Sequence, residues 1–502
     1  MPMKRKCSKL QQLNASLLQA ILRSWYTAYL LLARFAKIAL TFFFIFFYNT
    51  LSSADTIQVF TLPELYEHIH RYHPVVRQAE LLPQQAQQEV RLARGAFDPY
   101  LNSYFDQKAF KSQEYYSKWN SLVKIPLWFG TDLKLGYEHN TGTYLNPENK
   151  TDTGGQTYAG ISLPIGQGWL MDQRRATIRQ AQAFTQVAEA DKIKILNKLL
   201  LEATKDYWEW AFAYQKWLLY THAYDLAVVR YRGVRERAAQ GDLAAIDTVE
   251  ARIEVNNRKL LHQQAWTDYQ NGRLILSNYL WQEGQPPVEL VTAATPLLPD
   301  ALHRPVTPDS LQQLVQFARQ QHPEILKLQA KLRQLEIEKR LAADKFKPKL
   351  TLDYNFLRSN FDFPVESFSS NSLLNNYKLG VSFQYPLLLR AERGKFKLSK
   401  LKPTDNALDL QQTTRNLETS LQTTYNELTL LESQIKTQEQ LAQQAEILRN
   451  GEQIRFENGE SSLFLINTRE MNLVNYRLKL WELKIKYAKT HASLYWAAGM
   501  QP

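Results

Sequence analysis

Cysteine is all but missing from this chain of 502 residues: there is one, Cys7. A framework of disulfides or of cysteine-held metal is therefore excluded, and rigidity has to come from packing or assembly. Long apolar runs are missing too. The best is IALTFFFIFFY (Ile38–Tyr48), eleven residues, where a membrane-crossing helix needs about 20. With a mean hydropathy of −0.41, a polytopic helical membrane protein is excluded. No nucleophile elbow, phosphate loop or zinc signature is present, so carboxylate pairs such as Asp247/Glu250 lack the company that would make them catalytic, and no enzyme or cofactor is expected. The histidines of EHIHRYHP (His68, His70, His73) have no cysteine or carboxylate to complete a ligand set, and no metal is expected.

Acidic residues are absent from positions 1–54, which hold seven Lys/Arg and account for most of the net charge of +12. Without them 54 basic residues face 49 acidic ones. An excess this mild, spread along helices of mixed sign, describes a solvated surface and excludes a nucleic-acid footprint. Arg34 and Lys37, the apolar run and the small residues Ser52, Ser53 and Ala54 together read as an export leader over 1–54. No cysteine sits at its cleavage point for lipid attachment.

Aromatics, by contrast, are plentiful: 26 Tyr, 23 Phe and 11 Trp. The organising feature is a duplication. Leu62–Leu101 and Leu311–Leu350, 249 residues apart, align without a gap and share twelve identities in forty, among them His73/His322, Pro74/Pro323, Phe97/Phe346 and Pro99/Pro348. The first repeat is placed at 55–285 and the second at 309–502, with a proline-rich linker over 286–308.

After Pro99 and Pro348 the period changes to two. Leu350, Leu352, Tyr354 and Phe356 alternate with polar residues, as do Leu379, Val381, Phe383, Tyr385 and Leu387, and Ile161, Leu163 and Ile165. Such alternation predicts strands with one apolar, aromatic-rich face. Pro99 to Gly160 is 61 residues whereas Pro348 to Gly380 is 32. The surplus contains Ser121–His139, read as an extra hairpin turning at Phe129-Gly130-Thr131. Val123, Ile125, Leu127, Leu133, Leu135 and Tyr137 are assigned to one face, and Lys124, Lys134 and Glu138 to the other.

Beyond the strands, Gln173–Gln240 has no proline and one glycine. From Thr404 nearly to Gly451, Leu410, Leu417, Leu421, Leu428, Leu431 and Ile435 form a coiled-coil-like seam. Pro403 is expected to kink this helix or break it near its start. Each long helix ends near a glycine, Gly241 or Gly459, and a shorter helix returns. By rise per residue the long helices reach about 100 Å and the returning ones about 60 Å. The aromatic stripe Tyr207, Trp208, Trp210, Phe212, Tyr214 and Trp217 is assigned to packing between helices.

In the order of these parts, repeated twice, the chain resembles the TolC-type outer-membrane efflux family. The carriers are HP followed by F-x-P, the passage GISLPIGQGWLMDQRRATIRQA (Gly160–Ala181), and the turn Gly241…Asp247 with Glu250-Ala251. The resemblance implies an α + β membrane protein: a homotrimer sharing one outer-membrane β-barrel, continued by a long α-helical coiled-coil tunnel through the periplasm. It further implies a passive exit duct of a tripartite efflux or type I secretion system. Its partners would be a periplasmic adaptor, an inner-membrane pump and outer-membrane lipid. The second turn departs from the family's acidic pattern, since Leu465 and Thr468 stand there; a two-residue insertion brings Asn467 and Glu470 into place. The expected gate comprises Asp247, Glu250, Asn467 and Glu470 at the tip turns of Gly241 and Gly459, latched by Arg252 or Arg469. Strand number supports an oligomer independently, because four to six strands cannot close a membrane barrel, which needs at least about eight. The alternative reading is a periplasmic coiled-coil scaffold or adaptor without a pore, which has no use for the aromatic strands.

Overall fold

The computed structural model describes residues 58–290, 294–298, 305–359 and 375–501. The leader expected at 1–54, Cys7 and part of the 286–308 linker lie outside the described residues. Contacts divide the chain in two. The smaller unit holds the short pairing of β1 (Gln58–Phe60) with β6 (Ala294–Pro296). The larger, from Phe60 to Leu290 and from Pro296 onward, carries everything that follows.

Local chemistry sets the helix starts. Helix α1 (Leu62–Tyr72) opens with a capping box: Thr61 accepts from the Glu64 amide, and Glu64 Oε2 accepts from the Thr61 amide at 2.8 Å. The duplicated His-Pro pairs are N-caps. His73 Nδ1 accepts from the Val75 amide to start α2 (Pro74–Arg94), and His322 Nδ1 accepts from the Glu324 amide to start α6 (Pro323–Asp344), both at 3.2 Å. Proline follows each cap at the first helical position, where its missing N–H costs nothing.

Helices α3 (Gln173–Gln240) and α7 (Arg390–Glu457) are 68 residues each, about 100 Å long. Pro403 lies inside α7 without breaking it, so the second long helix begins earlier than the leucine seam alone indicates. Each is followed by a shorter helix, α4 (Ala245–Ser277) and α8 (Leu463–Ala497), and α5 (Pro308–Gln321) precedes α6. Side-by-side packing gives four columns in the order α4 with α2, then α3, then α8 with α6, then α7. The seam is real where it counts: Leu421, Leu428, Leu431 and Ile435 are buried with Leu483, Leu494, Leu311 and Leu314. The aromatic stripe packs α3 onto α4, with Trp217 stacked on Tyr269 at 5.5 Å and Trp210 at 6.5 Å from the same ring.

Between α2 and α3 lie β2 (Tyr100–Phe110), β3 (Gln113–Pro126), β4 (Asp132–Thr141) and β5 (Gln156–Pro164); between α6 and α7 lie β7 (Lys349–Ser359) and β8 (Tyr377–Gln384). They form one antiparallel sheet in the order β2-β3-β4-β5-β7-β8. The anticipated extra hairpin is therefore inside the sheet. Its outer partner β2 joins it through Lys111-Ser112, both at positive φ, the two-residue turn whose twist matches a hairpin. Register follows the alternation. Val123 opposes Leu135, and Ile125 opposes Leu133, on one face, while Lys124 opposes Lys134 on the other. Leu127 is a correction: β3 ends at Pro126, and Leu127 belongs to the turn, its amide donating to the Thr131 carbonyl at 2.8 Å. Likewise Tyr385 and Leu387 fall past the end of β8.

Burial holds both capping imidazoles below the ordinary histidine value of 6.5, which suits them, since only a neutral ring can accept at Nδ1. As pH falls below 6.5 the unfolded chain takes up protons that the folded caps refuse, so stability declines until the lowered folded values are crossed. Replacing both residues by Asn, another good cap, should leave stability at pH 7.5 within about 1 kcal/mol and flatten its loss toward pH 5.5. Thermal unfolding across that range checks it, and an unchanged slope would count against titrating caps.

Candidate functional site: the helix tips and the polar face of the sheet

At the far ends of the long helices the chain turns through Gly241 (φ 89°) and Gly459 (φ 77°), left-handed positions that glycine adopts at little cost. Ser462 then caps α8, accepting from the Leu465 amide. Just inside these turns sits a buried charge cluster. Glu470, 4% exposed, receives both guanidinium nitrogens of Arg230, the contact to Oε2 being 2.7 Å. Arg258, 1% exposed, adds a bond to Oε2 at 2.8 Å and also donates to the Ala223 carbonyl at 3.0 Å and to Glu254 at 2.7 Å. Arg230 further reaches Asn467 at 3.0 Å and Gln453 at 3.3 Å. One carboxylate on α8 thus ties α3 to α4 as well.

This differs from the arrangement expected of the tip residues. Asn467 and Glu470 do come together, but their cations are Arg230 and Arg258. Arg469 instead approaches Glu452 at 4.0 Å, whose other oxygen accepts from Ser461 at 2.5 Å. Asp247 and Glu250 are half-buried on the first turn of α4, and Arg252 is exposed. Among the described residues no ion pair engages Asp247, Glu250 or Arg252. Arg258 had a faint signal, Glu254 one helical turn before it; Arg230 had none, lying 240 residues from Glu470.

The second constellation is where strands meet helices. Asp172 caps α3, accepting from the Arg175 amide at 2.8 Å. Arg175 is buried, and its guanidinium donates to the carbonyls of Gly168 at 2.5 Å and Trp169 at 3.0 Å. Arg174 spans from Asp132 of β4 at 2.8 Å to the Phe97 ring at 5.3 Å. Arg174, which also donates to the Gly130 carbonyl, fastens the hairpin turn to the start of α3, and Arg175 fastens the Gly168–Trp169 turn to it. The buried Asp344 of α6 accepts from the Gly168 amide at 2.5 Å, locking the second repeat to the same corner.

The polar face of the sheet carries a ladder of charges: Lys124 to Asp132 at 2.8 Å and Lys134 to Asp353 at 2.5 Å. Lys134 is on β4 and Asp353 on β7, so the side chain crosses β5, and it does so at Gly160, its register partner. A β-carbon there would come within 2.2 Å of Asn355 Oδ1. The mirror arrangement has Tyr158 of β5 lying over Gly136 of β4, where a β-carbon would meet its ring at 2.1 Å, and its hydroxyl donating to Asn120 of β3 at 3.4 Å. The opposite face is apolar and open: Phe105, Trp119, Leu135, Ile161, Leu379, Val381 and Phe383 are between 42% and 68% exposed. Among the described residues no helix is long and apolar enough to cross a membrane.

The fold is thus a helical layer about 100 Å long joined to a six-stranded sheet with one apolar face. The second repeat, residues 314–500, matches the family described as outer membrane efflux protein. No curated protein matches the chain. Its fold is similar to the Campylobacter jejuni CmeC outer membrane channel, with 16% identity and TM-score 0.59 over 87% of this chain and 85% of that one. It is also similar to the outer membrane protein VceC of Vibrio cholerae, at 15%, 0.61, 88% and 96%. The open-state MtrE channel of Neisseria gonorrhoeae gives 12%, 0.61, 88% and 89%.

The Glu470 carboxyl is pushed up by burial, but the bonds and charges of Arg230 and Arg258 outweigh this and hold it below the ordinary range. A depressed carboxylate contributes stability above its unfolded pKa and loses it as pH falls through the folded one. Glu470→Gln should loosen the tip at neutral pH by ~3–5 kcal/mol, the usual result of leaving buried cations unpaired. Limited proteolysis around Gly241 and Gly459 would read this as faster cleavage. Acidification should bring the wild type toward the variant; equal cleavage rates at pH 7 would remove the cluster from any role in holding the tip.

Proposed function

We propose that the protein is a passive exit duct of the outer membrane. In this reading three copies share one β-barrel and one helical tunnel, fed from the periplasm by an adaptor and an inner-membrane pump. The observation that carries it is that both layers stop at unfinished edges on the same two sides. β2 and β8 each have one unpaired backbone edge. The outermost helix columns expose rows of large apolar side chains, Ile246, Ile253 and Leu260 on α4 and Leu401, Leu408 and Ile447 on α7, each at least 56% exposed. Two different edges, each needing the other, make a head-to-tail interface that closes into a ring. A scaffold without a pore explains the helix rows but not the apolar sheet face. The fold likeness and the family match support the channel.

The entrance is formed by the tips. Three copies of Asp247 and Glu250 present an acidic ring free of internal partners, while Glu470, Asn467, Arg230 and Arg258 keep each tip closed on itself. Arg252, exposed and without an ion pair among the described residues, is the cation available to a neighbouring copy, while Arg469 is turned to Glu452. The ring makes a weakly cation-selective constriction.

Two measurements test this. Cysteines at Ile125 and Leu135 should react with a lipid-soluble probe, and cysteines at Lys124 and Lys134 should not; equal labelling would remove the sheet from the membrane. In planar bilayers, Asp247→Ala with Glu250→Ala should reduce cation preference, and Glu470→Ala should raise conductance. Unchanged conductance and selectivity in assembled trimers would reduce these residues to capping and packing roles.

A further inference from the structure

The hairpin β3–β4 has no counterpart among the described residues of the second repeat, yet it does not hang from the sheet as a flap. It is hydrogen-bonded on both sides, to β2 through Tyr100–Phe110 and to β5 through Asp132–Glu138. Two side chains stitch it in across intervening strands: Lys134 across β5 to Asp353, and Tyr158 over Gly136 to Asn120. A β-carbon at Gly136 would strike the Tyr158 ring, so that glycine suits a hairpin lying beside β5. Arg174 then fastens its turn to the helix layer through Asp132.

From this we infer that all six strands enter the shared wall, so that the assembled barrel has eighteen strands and a bore as wide as the helical tunnel beneath it. The inference rests on the trimeric-channel reading. Its first support is polarity. The sheet is antiparallel throughout with an even number of strands, so β8 of one copy runs opposite to β2 of the next and can continue the ladder. The apolar faces also continue around the seam, since Leu101 and Phe105 on β2 lie on the same face as Leu379, Val381 and Phe383 on β8.

The second support is fit between layers. Six strands spaced ~4.8 Å and tilted by ~40° occupy about 38 Å of wall. Four helix columns at ~9–10 Å occupy about 36–40 Å, whereas four strands would occupy only about 25 Å. The extra hairpin thus brings the strand layer to the width of the helix layer that carries it. Closed by three, the wall is about 36 Å across between backbones, against about 24 Å for twelve strands at the same tilt. Subtracting about 5 Å of side chain on each side leaves ~26 Å rather than ~14 Å of clear bore. The barrel then imposes no size selection on bulky polar cargo, and discrimination falls to the tips.

Wild-type protein suffices for the test, so no variant has to fold. End-on single-particle averages of the detergent-solubilised oligomer should show a threefold ring with a wall about 36 Å across. A threefold ring of about 24 Å, with density for the hairpins outside or within it, would overturn the inference and leave the channel reading intact. The absence of any closed threefold ring would overturn both. In bilayers, polyethylene glycols with hydrodynamic diameters between about 14 and 26 Å, added on the extracellular side, should enter and lower the conductance. Their exclusion from an otherwise conducting trimer would likewise overturn the wide bore.

Discussion

An antiparallel sheet whose outer face is apolar cannot stop at an open edge in lipid, because each unpaired N–H and C=O there costs several kcal/mol. β2 and β8 present such edges, and six strands are too few to close on themselves. In the proposed channel those edges meet a second copy, and the foot of the sheet is held firmly enough to keep them in register. Asp172, Arg174, Arg175 and Asp344 fasten the foot of the sheet to α3 and α6, so the helices cannot swing relative to the strands without breaking buried charge-assisted bonds. The stiffness of two helices of 68 residues then transmits that orientation to the tips.

Duplication explains the frame and its exceptions. The two His-Pro caps are equivalent in geometry, down to the same 3.2 Å bond. The sheet is not equivalent, having four strands from the first repeat and two from the second. Nor are the tips. The second tip carries Glu470, neutralised by two arginines that both come from the first repeat. The first tip carries Asp247 and Glu250, with no ion pair among the described residues. One half supplies the carboxylate that joins the helices at the tip, and the other supplies carboxylates that no ion pair engages among the described residues.

Much of this was legible in the amino-acid order. The alternating strands, the extra hairpin and the glycine-ended helices rest on local signals within a few residues, and the repeat on a gapless comparison of two segments. What was hidden depends on contacts across hundreds of positions. Arg230 and Arg258 look like any exposed helix arginine until α8 delivers Glu470 between them. Pro403 reads as a breaker, yet α7 runs through it. Lys111 and Ser112 form a tight turn without glycine, so the outermost strand boundary carried no sequence mark. Gly136 carries no mark of its own in the sequence, and its purpose emerges only when the Tyr158 ring is seen lying across it.

The burial of Glu470 limits what its charge can do. A carboxylate with two guanidinium partners carries no net negative field, since the cluster sums to one positive charge before Glu254 joins it through Arg258. Its contribution is mechanical: it fixes α3, α4 and α8 together and sets how readily the tips part. A field that attracts cations has to come from groups that remain unpaired. Asp247 and Glu250, one helical turn apart, have no ion pair among the described residues. In the channel proposed above they are the selecting groups, and Glu470, tied to Arg230 and Arg258, is the group that sets how readily the tips part.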